Sequence, residues 1–224
     1  IPLSDFSHRQ GTPSLDNVEF IRLAITGLSS QTTLRIAEFN FVGNQWYERQ
    51  RGDSLFTVSV VNIEDNPDYT SPPGVARERD RRRPDQEVYL NEQSLSLTFR
   101  DLPDTTYREA YRLFPNMGVD LFNYERMKMF VHGDPYLASS RYEVVMRFGI
   151  DTLNYYEYRG PLRSGWDTRN EIDIAFAELT AIKALRDSCR TFEKRMDHLG
   201  DSVYYKVVGC PDIVSVRFIS VGVR

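Results

Sequence analysis

The chain has 224 residues and a mass of 26.1 kDa, the size of one large domain or two small ones. Apolar residues make up 41% and aromatic residues 12%, enough to bury a core and too much for a disordered chain. With 28 basic against 32 acidic residues the net charge is −4, which excludes a general attraction to nucleic acid, and no apolar run comes near the ~20 residues of a spanning helix.

The first residues, Ile1-Pro2-Leu3, carry no Met and no signal-peptide pattern, so the sequence reads as a piece of something longer. Strand signals follow. Val18 to Ile25 is β-branched and aromatic and stops at Thr26-Gly27. Leu34 to Phe41 alternates with period two, the pattern of a half-buried sheet. Leu55 to Ile63 is a third strand, with Phe56, Val58 and Val60 on one face. Residues 64–87 break the pattern. Glu64 to Gly74 holds three prolines and cannot continue a central strand. Arg77 to Asp85 is charged and almost free of apolar residues, the composition of an exposed linker.

Structure is expected to resume at Val88. Gln93 to Phe99 is a strand. Thr105 to Phe114 reads as a short helix or turn, from the spacing of Ala110, Tyr111 and Phe114. Met127 to Val131, Tyr142 to Ile150 and the short aromatic Tyr155 to Tyr158 are strands. Ile172, Ile174 and Phe176 alternate, and then the period lengthens. Leu179, Ile182 and Leu185 predict a helix from Glu178 to about Met196, although Thr168 and Glu171 match a capping box that would start it earlier. Val203 to Val208 and Val214 to Val223 close the chain as strands. The expected fold is all-β, mostly antiparallel, a jelly-roll or galactose-binding-like sandwich with one short helix.

An internal repeat runs through the two ends. Pro13, Leu15, Val18, Phe20, Ile21, Leu23 and Ile25 match Pro211, Ile213, Val216, Phe218, Ile219, Val221 and Val223 at a constant offset of 198. On that reading residues 1–63 are the terminal strands of one unit, 64–87 a linker and 88–224 a sandwich unit. The two parts are expected to share one core through Phe39, Phe41, Val58, Phe148, Ile174 and Phe218.

The residues give little support to catalysis. His8, His132 and His198 are far apart and share no ligand spacing with the cysteines. Nucleophile-elbow and phosphate-loop patterns are absent. Cofactor, catalytic and metal sites are therefore not expected. One alternative is calcium held by Glu64, Asp65 and Asp68, in a loop without EF-hand spacing. Another is an aromatic platform for a glycan, formed by Trp46 and Trp166, which pack as core or edge residues if they do not stack on sugar. All but four of the basic residues are Arg. That bias suits carboxylate or phosphate recognition and equally a codon preference. Cys189 and Cys210 form one disulfide in an oxidising compartment or remain two buried thiols.

Four stretches resemble a known family. They are Asn17 to Trp46, Val60 to Arg77, Asn91 to Leu97 followed by Met117 to His132, and Arg147 to Tyr158. Asn91-Glu92-Gln93-Ser94-Leu95-Ser96-Leu97 and Pro72-Pro73-Gly74 are the most specific. They are similar to the SprA/Sov family of very large outer-membrane proteins, which form the translocon of the type IX secretion system in Bacteroidetes and support gliding motility. The resemblance implies a transport role and no enzyme activity. It places this segment, whose strands are shorter than membrane strands, as a soluble module of an outer-membrane protein, in the periplasm or at the cell surface. Its expected partners are proteins of the secretion apparatus, with no nucleic acid. The alternative is a carbohydrate-binding module of a secreted or surface protein.

Overall fold

The computed structural model describes residues 22, 24–33, 35, 46–50, 55–81, 85, 87–101, 103, 106–115, 117–135, 142–185 and 188–224. The chain divides into two compact units, residues 1–42 and 43–224. The described residues of the first (22, 24–33 and 35) form no helix or strand and are exposed. The expected strand Leu34 to Phe41 lies, Arg35 apart, outside the described residues. So do most of Val18 to Ile25, the first copy of the repeat, and Phe39 and Phe41.

The second unit is an antiparallel β-sandwich with one short helix. Its strands are β1 (Tyr47–Glu48), β2 (Phe56–Asn62), β3 (Gln93–Phe99), β4 (Arg108–Leu113), β5 (Arg126–Met129), β6 (Glu143–Asp151), β7 (Asn154–Pro161), β8 (Ile172–Ala175), β9 (Phe192–His198), β10 (Asp201–Val208) and β11 (Phe218–Val223), and its helix is α1 (Phe176–Ala184). Seven strands form one sheet in the order β1-β4-β11-β6-β7-β10-β9; β2 pairs with β3, and β5 with β8.

Period-two alternation decides which side chains enter the core. From the large sheet come Val144, Met146 and Phe148 of β6, Tyr156 and Tyr158 of β7, Val203, Tyr205 and Val207 of β10, and Val221 of β11. The layer opposite supplies Ile172 and Ile174 of β8, then Phe176, Leu179 and Ile182 of α1, with Met127 and Met129 of β5 and Leu97 of β3 packed at the rim. Asp173, between the two isoleucines, points the other way and pairs with Arg126 at 2.7 Å. Of the residues expected to share one core, Phe148 and Ile174 lie in it. Phe218 is buried opposite Gly149. Val58 pairs with Leu97 across the β2–β3 ribbon.

Two expected elements are corrected. The helix predicted to run from Glu178 to about Met196 begins at Phe176 and stops at Ala184. Leu179 and Ile182 are each 1% exposed, but Leu185 is 66% exposed, so the helical stripe ends there. Ser188 then takes a positive φ of 61°, Cys189 is bridged to Cys210, and residues 192–198 pair along the full face of β10. Phe192 and Met196, four apart, mimic a helical repeat while lying on one side of a strand. The segment Thr105 to Phe114, expected as a helix or turn, contains β4, paired with β1 on one side and β11 on the other. Tertiary pairing overrides local propensity here. The closing strand is shorter than expected, because Val214 lies in the turn before it and Val216 makes an isolated bridge to Val119.

Residues 63–92 join β2 to β3, and the described residues among them are mostly exposed. Arg79 bridges Tyr89, Asp80 N donates to Val88 O at 2.8 Å, and Leu90 N donates to Glu78 O at 2.7 Å. Glu92 accepts from the Tyr69 hydroxyl at 2.7 Å and from Ser71 Oγ at 2.9 Å, tying the start of the connection to its end.

Candidate functional site

The side chains that alternate away from the core in the large sheet form a polar face. The strand register sets them in rows. One row runs Ser220, Arg147, Glu157, Lys206, Glu193 across five adjacent strands, and from Arg147 onward its charges alternate in sign. The next row runs Glu109, Gly222, Val145, Arg159, Tyr204, Arg195. Opposite charges in directly opposed positions attract across a sheet, so the register itself assembles the network.

At the centre are two buried carboxylates. Glu109 is 3% and Glu157 4% exposed. Glu109 Oε2 accepts from the Tyr107 hydroxyl at 2.5 Å and from Ser220 Oγ at 2.7 Å, and its other oxygen pairs with Arg49. Arg147 Nε donates to Glu157 Oε2 at 2.7 Å, and its Nη1 lies 3.6 Å from Glu109. Burial, then the Glu109 carboxylate, push the Tyr107 hydroxyl far above the usual tyrosine range; burial also raises Tyr155. Aromatic rings lie against the guanidinium groups: Tyr107 at 4.4 Å and Tyr155 at 5.4 Å from Arg147, Tyr204 at 4.6 Å from Arg159, and Tyr111 at 5.4 Å from Arg49. Such stacks hold long cations in fixed poses.

Between the rows is a cleft of about 200 Å3, lined by Tyr107, Val145, Arg147, Glu157, Arg159 and Arg224. It exists because Val145 and its neighbour Gly222 are small while the surrounding residues are long. Gly222 cannot be larger, since a Cβ there would sit 2.1 Å from Arg108 O. Arg159 is ion-paired on both sides: its Nε lies 3.3 Å from Glu143 Oε2, a contact not aligned as a hydrogen bond, and its Nη2 lies 3.5 Å from Glu193 Oε1.

The candidates named from sequence lie elsewhere. Trp46 packs against the core. Trp166 is half-buried; its indole N–H donates to Thr70 Oγ1 at 3.0 Å, and its ring meets His132 edge-on at 4.8 Å. Asp65 accepts from Asn62 Nδ2 at 2.8 Å, Glu64 lies 3.4 Å from Arg77, and Asp68 is exposed. Among the described residues no group of three or more His, Cys, Asp or Glu is placed to hold a metal. Cys189 and Cys210 are joined by a disulfide, Cα atoms 5.0 Å apart. It fastens the segment after α1 to the β10–β11 turn, where Lys183 Nζ donates to Pro211 O at 2.7 Å and Cys210 N to Asn154 Oδ1 at 2.8 Å.

Reading the sequence alone missed Glu109, Arg147, Glu157 and Arg159. The available signal was their position at alternate sites of strands otherwise made of apolar and aromatic residues. That pattern also describes an ordinary solvent face, and only the register shows that the charges meet one another.

No helix among the described residues is long and apolar enough to cross a membrane, which leaves crossing by β-strands open. Searches of curated proteins and of solved structures found no match to the chain. The family model SprA_N, described as motility related/secretion protein, matches residues 1–224, and the chain belongs to this motility and secretion family.

Proposed function

We propose that this chain is a non-catalytic structural and interaction module of a large outer-membrane translocon that supports type IX protein export and gliding motility. The observation that carries the reading is membership of a motility and secretion family over the whole length of the chain. The larger protein sits in the outer membrane, and this module lies in the periplasm or at the cell surface, where it contacts protein partners of the secretion apparatus. The Cys189–Cys210 bridge is consistent with such a compartment, because disulfides persist in the periplasm and outside the cell and are rare in the cytosol. The polar face adds support. Tyr and Arg are among the residues enriched at protein interfaces, and here they are held in place before any partner arrives.

The test is made in the larger protein in its own membrane. The module is deleted, and export of a secreted protein and spreading of the cells are measured, with the amount of the larger protein in the outer membrane as control. Loss of export at an unchanged membrane level is the expected result. Undiminished export and spreading would overturn the reading. Specific capture of a glycan by the 224-residue chain, lost on replacement of Trp166, would favour the carbohydrate-binding alternative instead.

A further inference from the structure

We propose that the Cys189–Cys210 bridge is a site of thiol–disulfide exchange, a redox latch at the open end of the β9–β10 hairpin that a dithiol protein of the Cys-x-x-Cys class opens and closes on the folded chain. The inference goes beyond the reading of this chain as a secretion module, and its test does not depend on that reading.

The strand register places the bridge. β9 and β10 pair from Asp201 opposite His198 at the turn to Val207 opposite Phe192 at the open end. Three residues further out on each strand, the continued register sets Cys189 opposite Cys210. Their Cα atoms lie 5.0 Å apart, between the roughly 4.5 and 5.5 Å spacings of directly opposed residues in an antiparallel ladder. The bridge therefore joins two positions that the hairpin already holds together. Neither cysteine belongs to the core. The elements on either side of Cys189 have their own attachments: α1 buries Phe176, Leu179 and Ile182, and all seven residues of β9 oppose β10. The folded chain has what it needs to stay closed while the bridge is open.

Access and strain point the same way. Cys189 and Cys210 are both exposed, and so are Ser188, Arg190 and Thr191. Exposed or strained bridges are the labile ones, whereas structural bridges resist reduction. Ser188 holds a φ of 61°, a left-handed backbone that a side chain disfavours, directly before the bridged residue. The other half of the latch is a fixed platform. Cys210 N donates to Asn154 Oδ1 at 2.8 Å, and Pro211 O accepts from Lys183 Nζ at 2.7 Å and from the Tyr156 hydroxyl at 3.3 Å. On opening, Cys210 keeps its place and residues 188–191 leave it. In the step itself a partner thiolate attacks one sulfur of the bridge, forms a mixed disulfide and expels the other sulfur as thiolate. The partner's second thiol then attacks the mixed disulfide and releases the remaining cysteine. The partner dithiol loses two electrons and becomes a disulfide, and its two protons pass to Cys189 and Cys210. The reverse sequence closes the latch, aided by the hairpin, which keeps the two thiols at high effective concentration.

The probes are dithiothreitol and reduced thioredoxin, added to the full 224-residue chain without denaturant, with free thiols alkylated by iodoacetamide and counted by mass spectrometry. Two alkylated cysteines are expected, at a rate proportional to the dithiol concentration and unchanged by urea below the unfolding transition. The circular dichroism should not change. Hydrogen exchange should quicken at residues 188–191, while the Cys210 amide and the β9–β10 ladder keep their protection. Thioredoxin reduced to a single active cysteine should be trapped on the chain as a mixed disulfide. With the reductant removed and oxidised glutathione supplied, closure should be independent of protein concentration. The double variant Cys189→Ser, Cys210→Ser should fold to the same spectrum with a lower midpoint in urea, because a link across 21 residues no longer constrains the unfolded chain. Reduction that occurs only as the chain unfolds, loss of Cys210 or β9 protection on reduction, absence of the trapped mixed disulfide, or failure of the double variant to fold would each overturn the proposal and make the bridge a permanent staple.

Discussion

Glu109 shows how a single residue can hold a sheet face together. Its carboxylate is nearly inaccessible and receives Tyr107, Ser220, Arg49 and Arg147 at once. Removing one partner of a buried charged network leaves the rest desolvated and unpaired. Glu109→Ala is therefore expected to cost about 3 kcal/mol and Ser220→Ala about 1 kcal/mol, read from urea unfolding. An effect of Glu109→Ala within about 0.5 kcal/mol, as at an ordinary surface site, would mean that the network contributes nothing. The tyrosines give a second residue-level test. Burial raises Tyr205 to about 12 and moves Tyr107 and Tyr158 in the same direction. Each has a folded value above its unfolded value, so its contribution to stability is complete below about pH 10 and is lost as pH rises through the folded value. Phenolate absorbance should show these three tyrosines ionising only as the circular dichroism of the fold collapses, above pH 11. Ionisation near pH 10 with the fold intact would contradict their burial.

The elements were legible where one face of a strand is apolar and the other polar. Gln93–Phe99 was read to the residue, and β2, β6 and β10 within about two residues at each end. The failures share a physical cause. In β4, Ala110 is small and fully buried while Glu109 beside it is a buried charge, so the strand lacks the usual contrast between faces and its apolar spacing looks helical. In β9, Phe192 and Met196 alone pack inward from an otherwise charged edge strand, and two apolar residues four apart fit either period. Charged edges of this kind discourage pairing with other chains. β11 sits between β4 and β6 and tolerates no added bulk at Gly222, where a Cβ would meet backbone oxygen at 2.1 Å. Gly222→Ala should lower stability by about 2 kcal/mol or more through forced separation of β4 and β11. Gly200→Ala, at a turn with φ +86° and open space around the added carbon, should cost about 1–2 kcal/mol from backbone strain alone. If the two substitutions cost the same, or Gly222→Ala costs less, the close approach of β4 and β11 is not a constraint.

At the scale of the whole molecule, the charged connection between β2 and β3 does not make their two sides independent. Residues 64–87 look like a linker because they are rich in proline, arginine and carboxylates, and composition carries no information about what lies on either side. The register does: seven residues of β2 oppose seven of β3, from Phe56 against Phe99 to Asn62 against Gln93. Phe56 is 1% exposed and stacks on Phe99 with ring centroids 4.9 Å apart. Leu97 packs on the main core, and Val58 N donates to Glu48 Oε1 at 3.2 Å, which joins the ribbon to β1 of the large sheet. Burying an aromatic residue of this kind is worth about 1.5–3 kcal/mol, and Phe→Ala at such a site costs about 3–5 kcal/mol. The ribbon should therefore stay in place when the chain is cut. A specific protease site inserted between Gly74 and Val75, in an exposed turn where Gly74 has a φ of +78°, should give two fragments that co-elute in native gel filtration and separate only in denaturant. Phe56→Ala in the cut chain should lower the denaturant concentration at which the fragments separate, because the ribbon is then weakened and the pairing of β1 with β4, the Arg49–Glu109 pair and the Trp166–Thr70 hydrogen bond carry more of the attachment. Separation of the unmodified fragments without denaturant would show that the connection is a true linker and that the ribbon adds nothing to the core.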